Sequence, residues 1–170
     1  DEGIDTGDII IQKLYDIKED DNYKTLLERS YEYCSELLLK SLVMIYDNNI
    51  NTISQKSIDI NGSYCRRRKD GDEIIYWNSS SKQIFNFVRG ITFPGPGART
   101  FCNKYEVIVV LAKVPKNINV SKCMPGTILE VNNKELLVKT KDSALLITDY
   151  SISEKIQYKF KVGDILKSKK

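Results

Sequence analysis

Apolar and polar positions follow two different rhythms along the chain, and the change from one to the other falls near Phe93. Asp8 to Lys13 holds an apolar triplet between polar residues, the pattern of a short buried strand. From about Asn22 to Tyr46 the apolar residues Tyr23, Leu26, Leu27, Cys34, Leu37, Leu38, Val43 and Ile45 recur at helical spacing. Asp21 is the expected N-cap, and the polar run Asp47-Asn48-Asn49 is the stop. This predicts one long helix or two abutting ones. Asn51 to Asp72 is polar and irregular, with Asn61-Gly62 as a turn. A further helix is expected to start at Ser80, because Ser80 and Gln83 stand at capping-box spacing and Ile84, Phe87, Val88 and Ile91 share one face. Phe93-Pro94-Gly95-Pro96-Gly97 ends it, since proline lacks the backbone donor and disfavours helical geometry in the residue before it.

Beyond Gly97 the rhythm is that of short strands. Glu106 to Val114, Thr127 to Val131, Glu135 to Thr140 and Ser143 to Ile147 are rich in β-branched residues, with Pro125-Gly126, Asn132-Asn133 and Lys141-Asp142 as turns. Their regular spacing predicts a small antiparallel barrel. Val162 to Leu166 is expected to add a last strand before a frayed basic tail.

Composition narrows the chemistry. The 170 residues carry a formal net charge of +3, too small a basic excess to indicate nucleic-acid binding, with basic residues gathered only at Arg66-Arg67-Arg68-Lys69 and from Lys155 to Lys170. No run approaches the roughly 18 apolar residues of a membrane span, so no membrane partner is expected. Cys34, Cys65, Cys102 and Cys123 lie far apart with no C-x-x-C, which argues for reduced thiols in a cytoplasmic protein and against zinc ribbons. There is no histidine. A histidine base, a histidine-ligated metal or a His–Ser or His–Cys pair therefore cannot be completed within this chain, and no metal is expected.

Asp5-Thr6-Gly7 has the form of an aspartic-protease loop, whose two carboxylates share a proton. It follows Asp1-Glu2-Gly3-Ile4 rather than an apolar strand, however, and no second such motif exists. The longer run D-E-G-I-D-T-G-D-I-I-I-Q instead resembles the loop and strand that close the folate site of the methionyl-tRNA formyltransferase-like family and its sugar-modifying relatives. Tyr64 with Arg66-Arg67, Ile74 to Trp77, Ile84 to Arg89, Phe93 to Ala98 and Pro125 to Leu129 occur in the order of that family. The resemblance implies an α+β fragment. Residues 1–95 would be the last strand and helices of a Rossmann-like formyltransferase domain, and residues 96–170 a small antiparallel OB-like β-barrel. It implies transfer of a formyl group from 10-formyltetrahydrofolate to a primary amine through a tetrahedral intermediate. Matching residue by residue, the catalytic Asp is Asp5, and the backbone of Asp1, Glu2, Gly3 and Ile4 lines the folate ring pocket. The family's Asn-x-His pair, which binds the developing oxyanion, belongs upstream. The chain starts at Asp1 without Met and is thus expected to be a fragment, inactive alone, whose partner is the N-terminal half of the same enzyme.

Tyr64, Arg66 and Arg67 resemble the sugar-modifying members, and a guanidinium fork fits the pyrophosphate of a nucleotide-linked amino sugar. Two departures weaken that likeness: Ile75-Tyr76-Trp77 replaces the usual I-D-W, and no proline follows the arginines. The alternative amine is that of methionyl-tRNA, which would make tRNA the partner. A third possibility is a non-catalytic binding or assembly module. Trp77 and Arg89 are expected to be structural, with Arg89 held by groups near Pro94.

Overall fold

The computed structural model describes residues 1–116, 118, 120, 122–152 and 158–169. They form three helices, α1 (Tyr23–Tyr46), α2 (Gln55–Ile58) and α3 (Ser81–Ile91). Six strands follow: β1 (Ala98–Cys102), β2 (Tyr105–Lys113), β3 (Ile128–Asn132), β4 (Glu135–Lys139), β5 (Ala144–Ile152) and β6 (Leu166–Lys167). The chain divides into two compact units, one of Asp1–Asp20 with Thr25–Arg68, the other of Asp21–Lys24 with Lys69–Lys170.

The first unit holds α2 and most of α1, which runs as one helix over the span its periodicity predicts. A bridge from Lys13 to Glu36 (2.7 Å) ties the segment before α1 to the helix, and Lys40 reaches the same carboxylate from one turn away (2.6 Å). These two ammonium groups hold the Glu36 carboxyl down at about 2. Tyr15 packs on Tyr33 with ring centroids 5.3 Å apart. The buried strand expected over Asp8–Lys13 is not formed. Only Ile9 pairs, in an isolated antiparallel bridge with Ile53, and Ile9, Ile10 and Ile11 are half-buried. A strand needs a neighbour that continues alongside it; here the segment after Ile53 turns into α2.

The second unit is built on a six-stranded antiparallel sheet in the order β3-β4-β5-β2-β1-β6. Register shifts between Val109 and Ala112 bend β2 where it crosses β5. The sheet curls into a half-barrel, and an antiparallel bridge between Thr127 and Ile165 joins its two edges. Ile128 N–H donates to the Asp164 carbonyl and Leu166 N–H to the Gly126 carbonyl, both at 2.8 Å. Gly126 has a φ of 93°, and a Cβ there would lie 2.2 Å from the Leu166 carbonyl oxygen, so this close approach needs glycine.

Inside the curl, Val107, Val109, Ile128, Leu136, Val138, Leu145, Ile147 and Leu166 form one apolar core, capped by Ile84, Val88 and Ile91 of α3. The capping box forms as the sequence predicts: the Gln83 N–H donates to Ser80 Oγ, and Ser80 N–H to Gln83 Oε1. The sequence assigned α3 to the segment before residue 96; in the structure it packs on β2, β5 and β1 within the second unit. Trp77 is buried, as expected, and its Nε1–H donates to Thr100 Oγ1 at 2.9 Å.

Several boundaries differ from the sequence pattern. β1, not anticipated, carries Arg99, which the pattern alone would leave outside. The guanidinium is held by the buried Glu73 carboxylate and, at 3.1 Å each, by Asp70 and Glu106. β5 runs on to Ile152 because its polar residues alternate with inward ones. The last strand is shorter than expected, since Val162-Gly163 is a turn. Lys155 and Lys170 of the basic tail lie outside the described residues. Lys167 and Ser168 are not frayed: the Lys167 carbonyl accepts from Thr100, and Ser168 Oγ donates to the Ile75 carbonyl. Among the described residues no helix is long and apolar enough to cross a membrane.

Candidate active-site loop

The residues singled out at the start of the chain come together in one tight turn. Asp1 Oδ1 accepts from the Gly3 N–H at 3.1 Å and from Thr6 Oγ1 at 2.5 Å, closing the turn on itself. A Cβ on Gly3 would lie 2.0 Å from Thr6 Oγ1, so only glycine lets that hydroxyl reach Asp1. Asp5 sits at φ 56°, the left-handed region that Asp and Asn tolerate better than other side chains. Asp1, Glu2, Gly3, Ile4 and Asp5 are all exposed, Ile4 at 90%.

A second stretch of the same unit holds the turn from outside. Gln55 Nε2 donates to the Asp5 carbonyl at 3.1 Å and to the Gly7 carbonyl at 2.6 Å. Thr52 Oγ1 donates to Asp8 Oδ2 at 3.2 Å, and Ile9 and Ile53 exchange two backbone bonds of 2.9 Å. Sequence reasoning missed Gln55. It lies in a polar, irregular stretch with no motif, and its acceptors are 48 and 50 residues away.

Tyr64, Arg66 and Arg67 occupy a separate exposed stretch with neither helix nor strand, Tyr64 at 98% exposure. Arg66 Nη1 donates to the Arg67 carbonyl at 3.3 Å. Arg89 donates to the Asn86 side chain at 2.9 Å and to the Asp21 carbonyl at 2.9 Å.

What the first loop offers chemically is three exposed carboxyl-bearing residues, Asp1, Glu2 and Asp5, on one turn, with the Asp1 carboxylate engaged by Gly3 and Thr6. That suits proton handling and recognition of a flat, polar heterocycle. None of the four cysteines forms a disulfide. Cys102 is buried, and burial raises its thiol above its ordinary value. Tyr158 beside it is raised by burial and by its bonds to Cys102 and Asp164.

A methionyl-tRNA formyltransferase of Mycoplasma capricolum is 31% identical over 147 residues, 86% of this chain and 45% of that protein. One from Staphylococcus epidermidis is 34% identical over 164 residues, 96% of this chain and 50% of that protein. The bifunctional polymyxin resistance protein ArnA of Wigglesworthia glossinidia brevipalpis is 33% identical over 148 residues, 87% of this chain and 22% of that protein. The chain therefore spans about half the length of the methionyl-tRNA formyltransferases it matches. A crystal structure of a HypX variant from Aquifex aeolicus shares the fold, with a TM-score of 0.65 over 91% of this chain and 27% of that one, at 18% identity. Residues 68–167 match the family described as "Formyl transferase, C-terminal domain", and the chain belongs to that formyltransferase family.

Proposed function

We propose that residues 1–8 form part of the active site of a cytoplasmic enzyme that moves a formyl group from 10-formyltetrahydrofolate to a primary amine. The observation that carries this reading is the Asp5 turn: an exposed carboxylate on a left-handed residue, in a turn that Asp1 closes through Gly3 and Thr6 and that Gln55 holds at the Asp5 and Gly7 carbonyls. In the reaction the amine nitrogen adds to the formyl carbon, the tetrahedral adduct collapses, and the bond to the folate nitrogen breaks. The amine gives up a proton and the folate nitrogen gains one. Asp5 orients and charges the imidazole that hydrogen-bonds the oxyanion and helps the proton move. This chain has no histidine. The imidazole and its Asn neighbour are contributed by the N-terminal half of the enzyme, the partner this reading requires. In this reading the folate ring lies along the exposed backbone of Asp1, Glu2, Gly3 and Ile4, which supplies one wall of the pocket.

In this reading the first unit closes a Rossmann-like catalytic domain, and the curled sheet is an OB-like module attached to it. The amine is carried by a nucleotide-linked sugar, whose pyrophosphate Arg66 and Arg67 meet beside Tyr64. Their exposure and planar, bidentate donors support that assignment. A second reading takes methionyl-tRNA as the amine, supported by the names of the relatives at 31% and 34% identity. Assay of the intact protein with 10-formyltetrahydrofolate and each amine decides. Formylation of the nucleotide sugar is expected; formylation of methionyl-tRNA alone establishes the second reading, and transfer to neither overturns both.

A further inference from the structure

The loop that presents Asp5 has a left-handed residue at its centre and no helix or strand of its own. Its shape therefore depends on what holds it. Asp1 closes it from within, through Gly3 and Thr6. From outside, one side-chain nitrogen reaches the carbonyls on both sides of Thr6, those of Asp5 and Gly7. A carboxamide can do this because its NH2 carries two hydrogens and can satisfy two acceptors at once, whereas a carboxylate or thioether carries none. The bonds hold the peptide that leaves Asp5, which fixes the direction of its Cα–Cβ bond. Gln55 is itself fixed as the first residue of α2, immediately after the Ile9–Ile53 bridge.

We propose that Gln55 is a positioning residue for formyl transfer, clamping the Asp5–Gly7 backbone so that the Asp5 carboxylate keeps its working direction. The inference rests on the reading of Asp5 given above. Misplacing a catalytic group by about 1 Å can cost on the order of a hundredfold in rate.

The test uses the intact protein that contains residues 1–170, with Gln55→Met, which keeps length but removes both donors, and Gln55→Glu. Steady-state formyl transfer, thermal unfolding and the pH profile are measured together. Gln55→Met is expected to lower kcat about 10- to 100-fold with the KM for the amine and the unfolding midpoint little changed. Gln55→Glu regains a donor only when protonated, so its activity relative to wild type should climb as pH falls. A residue with a merely structural role would lower the unfolding midpoint and the active fraction without that pH signature. Wild-type kcat in Gln55→Met, or a loss of rate matched by loss of folded protein, overturns the inference while leaving the reading of Asp5 intact. If the wild-type protein transfers no formyl group, or Asp5→Asn turns over normally, the proposed function itself falls and this inference with it.

Discussion

The Asp142 carboxylate accepts both hydrogen bonds that Ser81 can donate, from its N–H and from its hydroxyl, each at 2.8 Å across 61 residues of sequence. Asp142 stands in the turn between β4 and β5, and Ser81 is the first residue of α3, so one carboxylate fixes the start of the helix to the sheet. Thr140 completes the joint, donating to Asp142 at 3.1 Å. Burial alone would raise the Asp142 carboxyl; the bonds from Ser81 and Thr140 outweigh it and hold the group below its ordinary value.

Asp142→Ala strands the buried Ser81 donors and is expected to cost about 1–2 kcal/mol, read from urea unfolding at neutral pH. The pH dependence has a definite sign. A carboxyl lowered on folding adds stability above its unfolded value, here 3.8, and that stability is lost as pH falls through the lower folded value. The gap between wild type and Asp142→Ala should therefore narrow in acid; a gap that widens would contradict the role assigned to Asp142.

Thr100→Val should be more costly than its surface chemistry suggests. Thr100 is fully buried and accepts from the Trp77 indole while donating to the Lys167 carbonyl. The valine leaves both partners unsatisfied in a dry site, and a loss of roughly 2–3 kcal/mol is expected from denaturant unfolding. Retention of wild-type stability would mean that water replaces the hydroxyl.

Gly126→Ala is expected to destabilise the second unit by at least about 2 kcal/mol, because it combines a positive φ with a contact against a backbone carbonyl that cannot rotate away. Gly163→Ala is the control. It shares a positive φ of 94°, but nothing lies within 4 Å of its added methyl, so its cost should be smaller. Equal losses in the two variants would show that the φ alone is responsible.

Asp5→Asn in the intact enzyme is expected to lower turnover by roughly a hundredfold or more while leaving the unfolding midpoint unchanged, since the amide keeps the shape and loses the charge. The 170-residue chain alone is expected to transfer no formyl group, having no histidine to complete the oxyanion site. Single-turnover assays of both proteins check these expectations.

The sequence was most legible where local chemistry decides structure. The Ser80–Gln83 pair, the long helical periodicity before Tyr46 and the β-branched runs of β2, β3 and β4 each act within a few residues, and each forms as the pattern predicts. It was least legible where partners are remote. Ile9-Ile10-Ile11 reads as a strand but finds only Ile53 to pair with. β1 is hidden because Arg99 is neutralised by carboxylates on either side of it in sequence. At the candidate site the motif around Asp5 was visible, whereas Gln55, which holds it, carries no local signal at all.

The way the sheet edges meet also bears on the order in which the chain can fold as it is synthesised. The pairings of β1, β2, β4 and β5 are available once Ile152 has left the ribosome, but β6 and the segment that joins the edge at Thr127 come from residues 163–167. Until those residues emerge, the edge at Gly126–Ile128 and the outer side of β1 stay open, and each is a template for pairing with another chain. Closure of the half-barrel therefore follows the pairings of β1, β2, β4 and β5 and waits for residues 163–167.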